Sequence, residues 1–240
     1  PTSQGTKLNE ALQAAGAHVL WIPAIEIAAL PPDDEGRALL GRLGEFDWCA
    51  FASESGVRHF LDRVEGQGLR WPLRLRVATV GRNTARALAD RGRPADLVPE
   101  EHTGRALAEL LLSRAPAGRI LLPRGDQGRE ELAELLQAAG WQVTPLICYA
   151  NRPVRLSPSR VFAVEQGLDA AVFASPSAVR ALWEQLPETA RRVLARAACV
   201  PIGPTTAGAL REVGLEPALV PETHTVDGVV AALAQLLADR

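Results

Sequence analysis

Serine hydroxyls recur where strand-like apolar runs give way to helical patterns. Ser53 and Ser55 follow one such run, and Ser175 and Ser177 follow another. In a parallel α/β sheet the carboxyl ends of strands lead into helix N-termini, whose free N–H groups and partial positive charge bind anions. These serines are therefore candidate anion-binding residues. Capping of the helix N-terminus is the structural alternative for each of them.

Threonines begin further predicted helices after short turns that contain glycine or proline. A glycine in such a turn lets the backbone approach a ligand, and a threonine in the first helical turn adds a hydroxyl that binds an anion or caps the helix. Both interpretations remain open at each position. The candidates of this second set are Thr84, Thr103, Thr205 and Thr206.

The stretch from Pro123 to Glu130 is predicted to be a strand-to-helix loop with two arginines and two glycines. Arg124 and Arg129 can each bind a carboxylate or a phosphate through two parallel hydrogen bonds, and Gly125 leaves backbone accessible to such a ligand. The loop contains neither Gly-Lys-Ser/Thr nor Gly-x-Gly-x-x-Gly, so nucleotide binding has little support.

Tyr149 is the only tyrosine of the chain. A phenol that faces a cleft can donate a proton to a leaving hydroxyl, whereas simple packing is the structural alternative. The sequence contains no recognisable serine-nucleophile, paired-carboxylate or Cys/His catalytic set. The three cysteines lie far apart in apolar runs, which is typical of buried thiols rather than of a disulfide or zinc site. We therefore predict that the protein uses neither a metal nor a cofactor.

Composition limits the partners of this protein. The chain has 240 residues, of which 47% are hydrophobic, and a formal net charge of −2 at pH 7. This balance provides none of the positive field that nucleic acid or an anionic membrane surface requires, so an anionic ligand must be bound by local groups. No apolar run is long enough to span a membrane and no secretory signal is recognisable, which predicts a cytoplasmic protein.

Strands and helices alternate along the sequence. This alternation predicts βαβ units and mainly parallel sheets that are buried on both faces. Helical patterns include Ala85 to Ala89 and Glu130 to Ala139. The predicted strands are His18 to Ile22, Trp48 to Ala52, Leu75 to Val80, Arg119 to Leu122, Trp141 to Thr144, Ala170 to Ala174 and Ala198 to Ile202.

An internal repeat divides the chain into two similar α/β halves. The segment 51–58 reappears at 173–180, an offset of 122 residues, with six of eight positions identical. At the same offset, twelve of the 23 positions in 81–103 match 203–225. Residues 8–16 match 132–140 at seven of nine positions. The second copy of this last helix follows a strand and the first does not, so we expect an opening strand to precede residue 1.

Proline-rich stretches suggest where the chain crosses between the two halves. We predict a continuous domain of residues 34–145 and a discontinuous domain of residues 1–28 with 154–240. The crossings are predicted at residues 25–33 and 146–157, and Tyr149 lies in the second of them. Two crossings predict a hinge rather than a loose tether.

The motifs together resemble the uroporphyrinogen-III synthase family over nearly the whole chain. The resemblance rests on the order and spacing of Phe-Ala-Ser-x-Ser-x-Val at 51–57 and 173–179, Val-Gly-Arg-Asn-Thr-Ala at 80–85, Pro-Arg-Gly at 123–125 with Gly-Arg-Glu at 128–130, Ile-Gly-Pro-Thr-Thr-Ala at 202–207, and the crossing that contains Tyr149.

The resemblance implies two flavodoxin-like lobes with parallel sheets, joined by a two-stranded β-ladder. It also implies that hydroxymethylbilane binds in a cleft, loses its hydroxyl to give an azafulvene and closes through a spiro intermediate to uroporphyrinogen III with ring D inverted. Tyr149 would assist loss of the hydroxyl, and the hydroxyl and arginine candidates would bind the substrate. The family implies a monomer, and handover from hydroxymethylbilane synthase is an added expectation.

Two other functions remain open. A two-lobed binding or regulatory module of the same fold would retain the hinge without turnover. A nucleotide-dependent α/β enzyme would need a phosphate fingerprint that the sequence lacks. The isomer of the product distinguishes these functions, since spontaneous closure of hydroxymethylbilane gives only the uninverted macrocycle.

Overall fold

The computed structural model describes residues 2–128 and 130–238. It forms two compact units. The continuous unit consists of residues 27–151, and the discontinuous unit is built from the residues up to Glu26 and from Arg152 onward.

The secondary structure alternates as the sequence predicts. The strands are β1 (Ile25–Ala29), β2 (Trp48–Phe51), β3 (Arg76–Thr79), β4 (Arg119–Gly125), β5 (Gln142–Pro153), β6 (Ala170–Phe173) and β7 (Ala198–Pro201). The helices are α1 (Thr2–Ala14), α2 (Asp34–Gly41), α3 (Glu54–Gly66), α4 (Arg82–Ala89), α5 (Gly104–Arg114), α6 (Glu131–Ala138), α7 (Pro158–Glu165), α8 (Pro176–Gln185), α9 (Glu188–Arg196), α10 (Pro204–Glu212) and α11 (Val226–Ala238), with a short 3-10 helix at Leu43–Glu45.

A five-stranded sheet in the order β1-β5-β4-β2-β3 organises the continuous unit. Strand β2 pairs in parallel with both β3 and β4, and β4 pairs in parallel with β5. Because side chains alternate along a strand, Phe51 packs with Phe60 of α3 on one face, whereas Trp48 packs with Leu107 of α5 on the other. All four residues of β2 are buried, as expected for an inner strand covered on both faces.

Strand β1 lies beside the second half of β5. The Leu30 N–H donates to the Cys148 carbonyl at 3.1 Å, and the Val154 N–H donates to the Ala24 carbonyl at 2.9 Å. Residue numbers rise on one strand as they fall on the other, so the pair is antiparallel. Strand β1 thus adds an antiparallel edge to the five-stranded sheet, and the predicted α/β fold with parallel strand pairing in both units is confirmed.

The discontinuous unit repeats the core pairing of the continuous unit. Strands β6 and β7 pair in parallel with Ala170 opposite Ala198, and β2 and β3 pair with Trp48 opposite Arg76. Both residues of the second pair are offset by 122 from those of the first, which is the offset of the sequence repeat. The duplication therefore extends to strand register.

One predicted strand is wrong. Residues 17–24 form neither strand nor helix, although the sequence pattern predicts a strand from His18 to Ile22. Its counterpart in the repeat begins β5, which is held by pairing with β4. The described part of the discontinuous unit offers only the β6–β7 sheet, so this apolar segment has no strand beside it to complete a ladder. Leu20 and Trp21 are accordingly exposed.

The cysteines lie in the cores. Cys49, Cys148 and Cys199 are buried and free. Burial raises the pKa of the Cys148 and Cys199 thiols to about 11 in each case and raises that of Cys49 well above its ordinary value. A buried protonated thiol is a poor nucleophile, so the described cysteines act as packing residues. Among the described residues, the helices are too short or too polar to cross a membrane.

Candidate functional site

Tyr149 lies within the five-stranded sheet, where its register with β4 is irregular. Arg124 is opposite Ile147, but the next residue, Gly125, is opposite Tyr149, so one residue of β5 is skipped. Such a bulge redirects the side chains beyond it. Strand β4 extends to Gly125, past its predicted end at Leu122. Gly125 and Tyr149 therefore lie side by side at the carboxyl end of β4.

The absence of a side chain at Gly125 makes room for the Tyr149 ring. A Cβ atom on Gly125 would lie 2.7 Å from Cε2 and 2.8 Å from Cζ of that ring. Distances below 3.0 Å are not tolerated between such atoms. Any side chain at position 125 would therefore collide with the Tyr149 ring unless the ring moved, and the approach of a ligand to the Gly125 backbone stays a prediction.

Ser53 connects the Tyr149 phenol to helix α3. Its Oγ lies 3.0 Å from the phenol oxygen and accepts the Gly56 N–H at 3.0 Å as the N-cap of α3. The capping interpretation of Ser53 is confirmed, whereas anion binding by this hydroxyl stays a prediction. The two residues are separated by 96 positions in sequence.

His59 stacks on the Tyr149 ring and was missed by the sequence analysis. The ring centroids lie 5.4 Å apart with an interplanar angle of 29°. Burial lowers the pKa of His59, and the neighbouring Arg58 lowers it further, so the imidazole is neutral at neutral pH. Its position four residues after Ser55 places it on the same helix face as that candidate, which is the one sequence signal that could have identified it.

Arg124 is occupied by its own loop. Its guanidinium donates to both carboxylate oxygens of Glu130 at 2.6 Å and to the Gly128 carbonyl at 2.6 Å. Only 13% of its side chain is exposed. For Arg124 to bind a substrate carboxylate, that group must replace Glu130, so its binding role stays a prediction.

Replacement of Arg124 with alanine is expected to lower the free energy of unfolding by about 1 to 3 kcal/mol, because a loop carbonyl loses a charged donor. Urea denaturation measures this change. Glu130→Gln is the control and has a smaller expected effect, since the Gly128 contact remains and the Glu130 carboxylate is exposed to solvent. Equal effects of the two substitutions would contradict the importance assigned to the carbonyl contact.

The ion pair also has a predictable pH dependence. The hydrogen bonds that Arg124 donates to Glu130 lower the pKa of the Glu130 carboxyl group. The folded protein therefore binds the proton less readily than the unfolded chain, so the stabilisation is present above the ordinary carboxyl pKa and is lost as the pH falls through the lowered one.

The other candidates of the continuous unit lie at helix starts. Thr103 is exposed and caps α5, with its Oγ1 accepting the Ala106 N–H at 3.1 Å. Ser55 is half-buried in the first turn of α3, and Thr84 is only 6% exposed in α4. Arg129 lies outside the described residues. Substrate contacts by these residues stay predictions.

The candidates of the discontinuous unit repeat the capping geometry without the phenol. Ser175 caps α8 by accepting the Ala178 N–H at 3.1 Å, and its hydroxyl lies 3.1 Å from that of Ser177. Thr205 is exposed in the first turn of α10, whereas Thr206 is only 3% exposed. The capping arrangement therefore occurs twice, and a phenol contacts the capping serine in the continuous unit.

The repeated glycines before α4 and α10 contact histidines. A Cβ on Gly81 would lie 3.1 Å from Cγ of His102, and a Cβ on Gly203 would lie 3.1 Å from Cγ of His224. The sequence pattern predicts that backbone approaches a ligand at these glycines. In the structure each one accommodates the histidine of its own unit, which explains why glycine and histidine recur together in the repeat.

The chemistry available at this site is proton transfer. Within the described residues no cluster of histidine, cysteine, aspartate or glutamate has the geometry to hold a metal ion. Ser53, Gly125 and Tyr149 are the predicted residues whose mutual contacts define the site. A phenol supported by a serine hydroxyl and a helix N-terminus can donate a proton to a leaving oxygen.

Comparison with known proteins identifies the family to which this chain is similar. The family model of uroporphyrinogen-III synthase HemD matches residues 6–231. A uroporphyrinogen-III synthase of Synechococcus elongatus is 28% identical over 97% of this chain and 91% of its own length, and one of Escherichia coli K12 is 25% identical over 97% of both chains. A crystal structure of a mutant uroporphyrinogen III synthase from the extremely thermophilic bacterium Thermus thermophilus has a TM-score of 0.70 and 25% identity, covering 99% of this chain and 96% of that one.

Proposed function

The chain belongs to the uroporphyrinogen-III synthase family, and we propose that it closes hydroxymethylbilane to uroporphyrinogen III with inversion of ring D. The family match over nearly the whole chain carries this conclusion. The contact between the Tyr149 phenol and Ser53 supports Tyr149 as the proton donor of the first chemical step.

The reaction begins with loss of the hydroxyl of hydroxymethylbilane. Tyr149 donates its phenol proton to that oxygen while the C–O bond breaks, and the bonding electrons leave with the oxygen as water. The pyrrole nitrogen lone pair stabilises the resulting carbocation as an azafulvenium ion, the protonated form of the azafulvene. General acid assistance of this kind accelerates a reaction by about 10²- to 10⁴-fold.

Inversion of ring D depends on which carbon of ring D attacks the azafulvene carbon. The substituted carbon of ring D bonds to the azafulvene carbon and gives the spiro intermediate. The older bond from that ring-D carbon to the bridge toward ring C then breaks, and the unsubstituted α-carbon of ring D bonds to the released bridge carbon, which closes the macrocycle. A proton is lost when the pyrrole ring regains aromaticity, and it restores the phenol of Tyr149. The protein directs these steps chiefly by positioning a reactive substrate, which is consistent with the lack of a recognisable nucleophile or paired carboxylates in the sequence.

The substrate carries eight carboxylates, whereas the protein has a formal net charge of −2. We propose that helix N-termini and hydroxyls bind these carboxylates locally, because backbone N–H groups at a helix start favour anions without a general positive field. The proposed binding residues are Ser53, Ser55, Thr84, Thr103, Arg124, Gly125, Arg129, Ser175, Ser177, Thr205 and Thr206.

We further propose that the predicted continuous domain, residues 34–145, and discontinuous domain, residues 1–28 with 154–240, act as the two lobes of a monomer in the cytoplasm. Direct handover from hydroxymethylbilane synthase would favour the inverted product, since the free substrate closes spontaneously to the uninverted macrocycle.

Isomer analysis of the product tests the proposed function. Fresh hydroxymethylbilane is mixed with the purified protein, and the oxidised products are separated by chromatography. We expect the type III isomer to predominate over the type I isomer that forms without enzyme. A regulatory or binding module would leave type I as the product, and that result would overturn the proposal.

A further inference from the structure

The Ser53 hydroxyl has a limited number of hydrogen bonds to distribute. A serine hydroxyl donates one proton and accepts at two lone pairs. One lone pair accepts the Gly56 N–H at 3.0 Å, and the phenol oxygen of Tyr149 lies 3.0 Å from the same oxygen. The direction of the Ser53–Tyr149 hydrogen bond then decides which residue retains a free proton.

Both directions fit the 3.0 Å separation of the two oxygens, and they differ in which hydroxyl keeps a free proton. If Tyr149 donated, Ser53 would accept twice and its own proton would need a third partner. If Ser53 donates, the Gly56 N–H, the serine O–H and the phenol form a chain in which each hydrogen bond polarises the next. This series of hydrogen bonds begins at the N-terminus of α3, a helix of 13 residues. The partial positive charge of that helix N-terminus reinforces the polarisation.

We propose that Ser53 is a positioning residue: it donates its hydroxyl proton to the Tyr149 oxygen and leaves the phenol proton free for the leaving hydroxyl of the substrate. This inference rests on the proposed function, and for Ser53 it replaces the carboxylate-binding role proposed above with a role at the phenol. Tyr149 remains the residue that touches the reacting atoms.

The hydrogen bond from Ser53 to the Tyr149 oxygen stabilises the transition state more than it stabilises the bound substrate. As Tyr149 gives up its proton, negative charge develops on the phenol oxygen, and a hydrogen bond to a charged oxygen is roughly twice as strong as one to a neutral oxygen. An interaction that strengthens on the way to the transition state raises kcat rather than lowering KM. Ser53 is therefore expected to affect turnover and to leave substrate affinity nearly unchanged.

Ser53→Ala tests this role. We expect kcat to fall about 10-fold, which corresponds to about 1.4 kcal/mol of activation free energy, with KM changed less than about twofold. Ser53→Thr keeps the hydroxyl and the cap, and the extended backbone at this position, φ −156° and ψ 153°, suits a β-branched residue. This variant should recover most of the lost turnover.

Ser157→Ala is the matched control for loss of a helix cap. Ser157 caps α7 by accepting the Arg160 N–H, and its hydroxyl lies 2.9 Å from the Ser159 hydroxyl instead of a phenol. This variant should keep wild-type kcat. If Ser53→Ala also keeps wild-type kcat, or raises KM alone, the positioning role is wrong, and the second result would assign Ser53 to substrate binding.

A double-mutant cycle with Tyr149→Phe separates this inference from the proposed function. With the phenol removed, Ser53→Ala should cause no further loss of kcat, and an undiminished 10-fold loss would overturn the inference. In urea unfolding, the two substitutions should be coupled by about fivefold in the unfolding equilibrium constant. That coupling is independent of turnover, so its absence contradicts the hydrogen bond itself, whereas lack of type III product from the wild-type protein contradicts the proposed function.

Discussion

Tyr149→Phe should lower kcat by about 100-fold and change the free energy of unfolding by no more than about 1 kcal/mol. The phenylalanine ring retains the stacking on His59 and the packing against Gly125, because the substitution removes only the phenol oxygen. The rate falls because the leaving hydroxyl loses its proton donor. Initial rates at saturating hydroxymethylbilane give kcat, and urea denaturation gives the stability.

The stability measurement is the control for this prediction. A variant that unfolds at a much lower urea concentration would lose activity for a structural reason and would say nothing about proton donation. Wild-type kcat in a stably folded variant would exclude Tyr149 as the acid.

Gly125→Ala should lower kcat by about 10- to 100-fold even though it leaves Tyr149 in place. The new Cβ would lie 2.7 Å from the tyrosine ring, so the half-buried ring must move away and its contact with Ser53 is disturbed. A displacement of about 1 Å is sufficient to cost about 100-fold when a catalytic group must meet a reacting atom. The rate is measured under the same conditions as for Tyr149→Phe.

Gly66→Ala provides the matched control. Gly66 lies at the end of α3, and a Cβ there would meet no atom within 4 Å. This variant should retain wild-type turnover. Combining Gly125→Ala with Tyr149→Phe should add little to the loss caused by Tyr149→Phe alone, and fully multiplicative losses would show that Gly125 acts independently of the phenol.

Local sequence patterns predict the elements and caps of this fold well. Ser53 and Ser175 follow apolar strands, and both cap the helices that come next. This information is local, because a cap depends on residues three positions apart. The internal repeat adds strand register, since the β2–β3 and β6–β7 pairs share one offset.

The contacts that define the site are not local. The bulge that places Gly125 opposite Tyr149 depends on how two strands pair, and the Ser53–Tyr149 contact joins residues 96 positions apart. The periodicity of a single sequence does not indicate which residues so far apart come into contact. The sequence identified both residues as candidates by their types, but only the fold indicates that one hydroxyl supports the other.

Arg124 illustrates a different limit of sequence interpretation. An arginine in a glycine-containing loop suggests anion binding, but Glu130 in the same loop supplies a carboxylate that satisfies it. The type of a residue predicts the chemical group that it binds. That group can belong to the protein itself instead of to a ligand.

The two halves of the duplication have diverged at the capping serines. Ser53 contacts a phenol, whereas Ser175 contacts the hydroxyl of Ser177. A phenol is the stronger acid of the two hydroxyl types. This difference is consistent with the proposal that the continuous unit donates the proton and that the hydroxyls of the discontinuous unit bind carboxylates.

Competition between enzymatic and spontaneous closure tests the role of Tyr149 most directly. Fresh hydroxymethylbilane is divided between wild-type protein and Tyr149→Phe at equal concentrations low enough for uncatalysed closure to compete, and the ratio of type III to type I product is measured. We predict mostly type III from the wild-type protein and mostly type I from the variant, because slower loss of the hydroxyl gives spontaneous closure time to occur. The same high proportion of type III from both proteins would contradict the account.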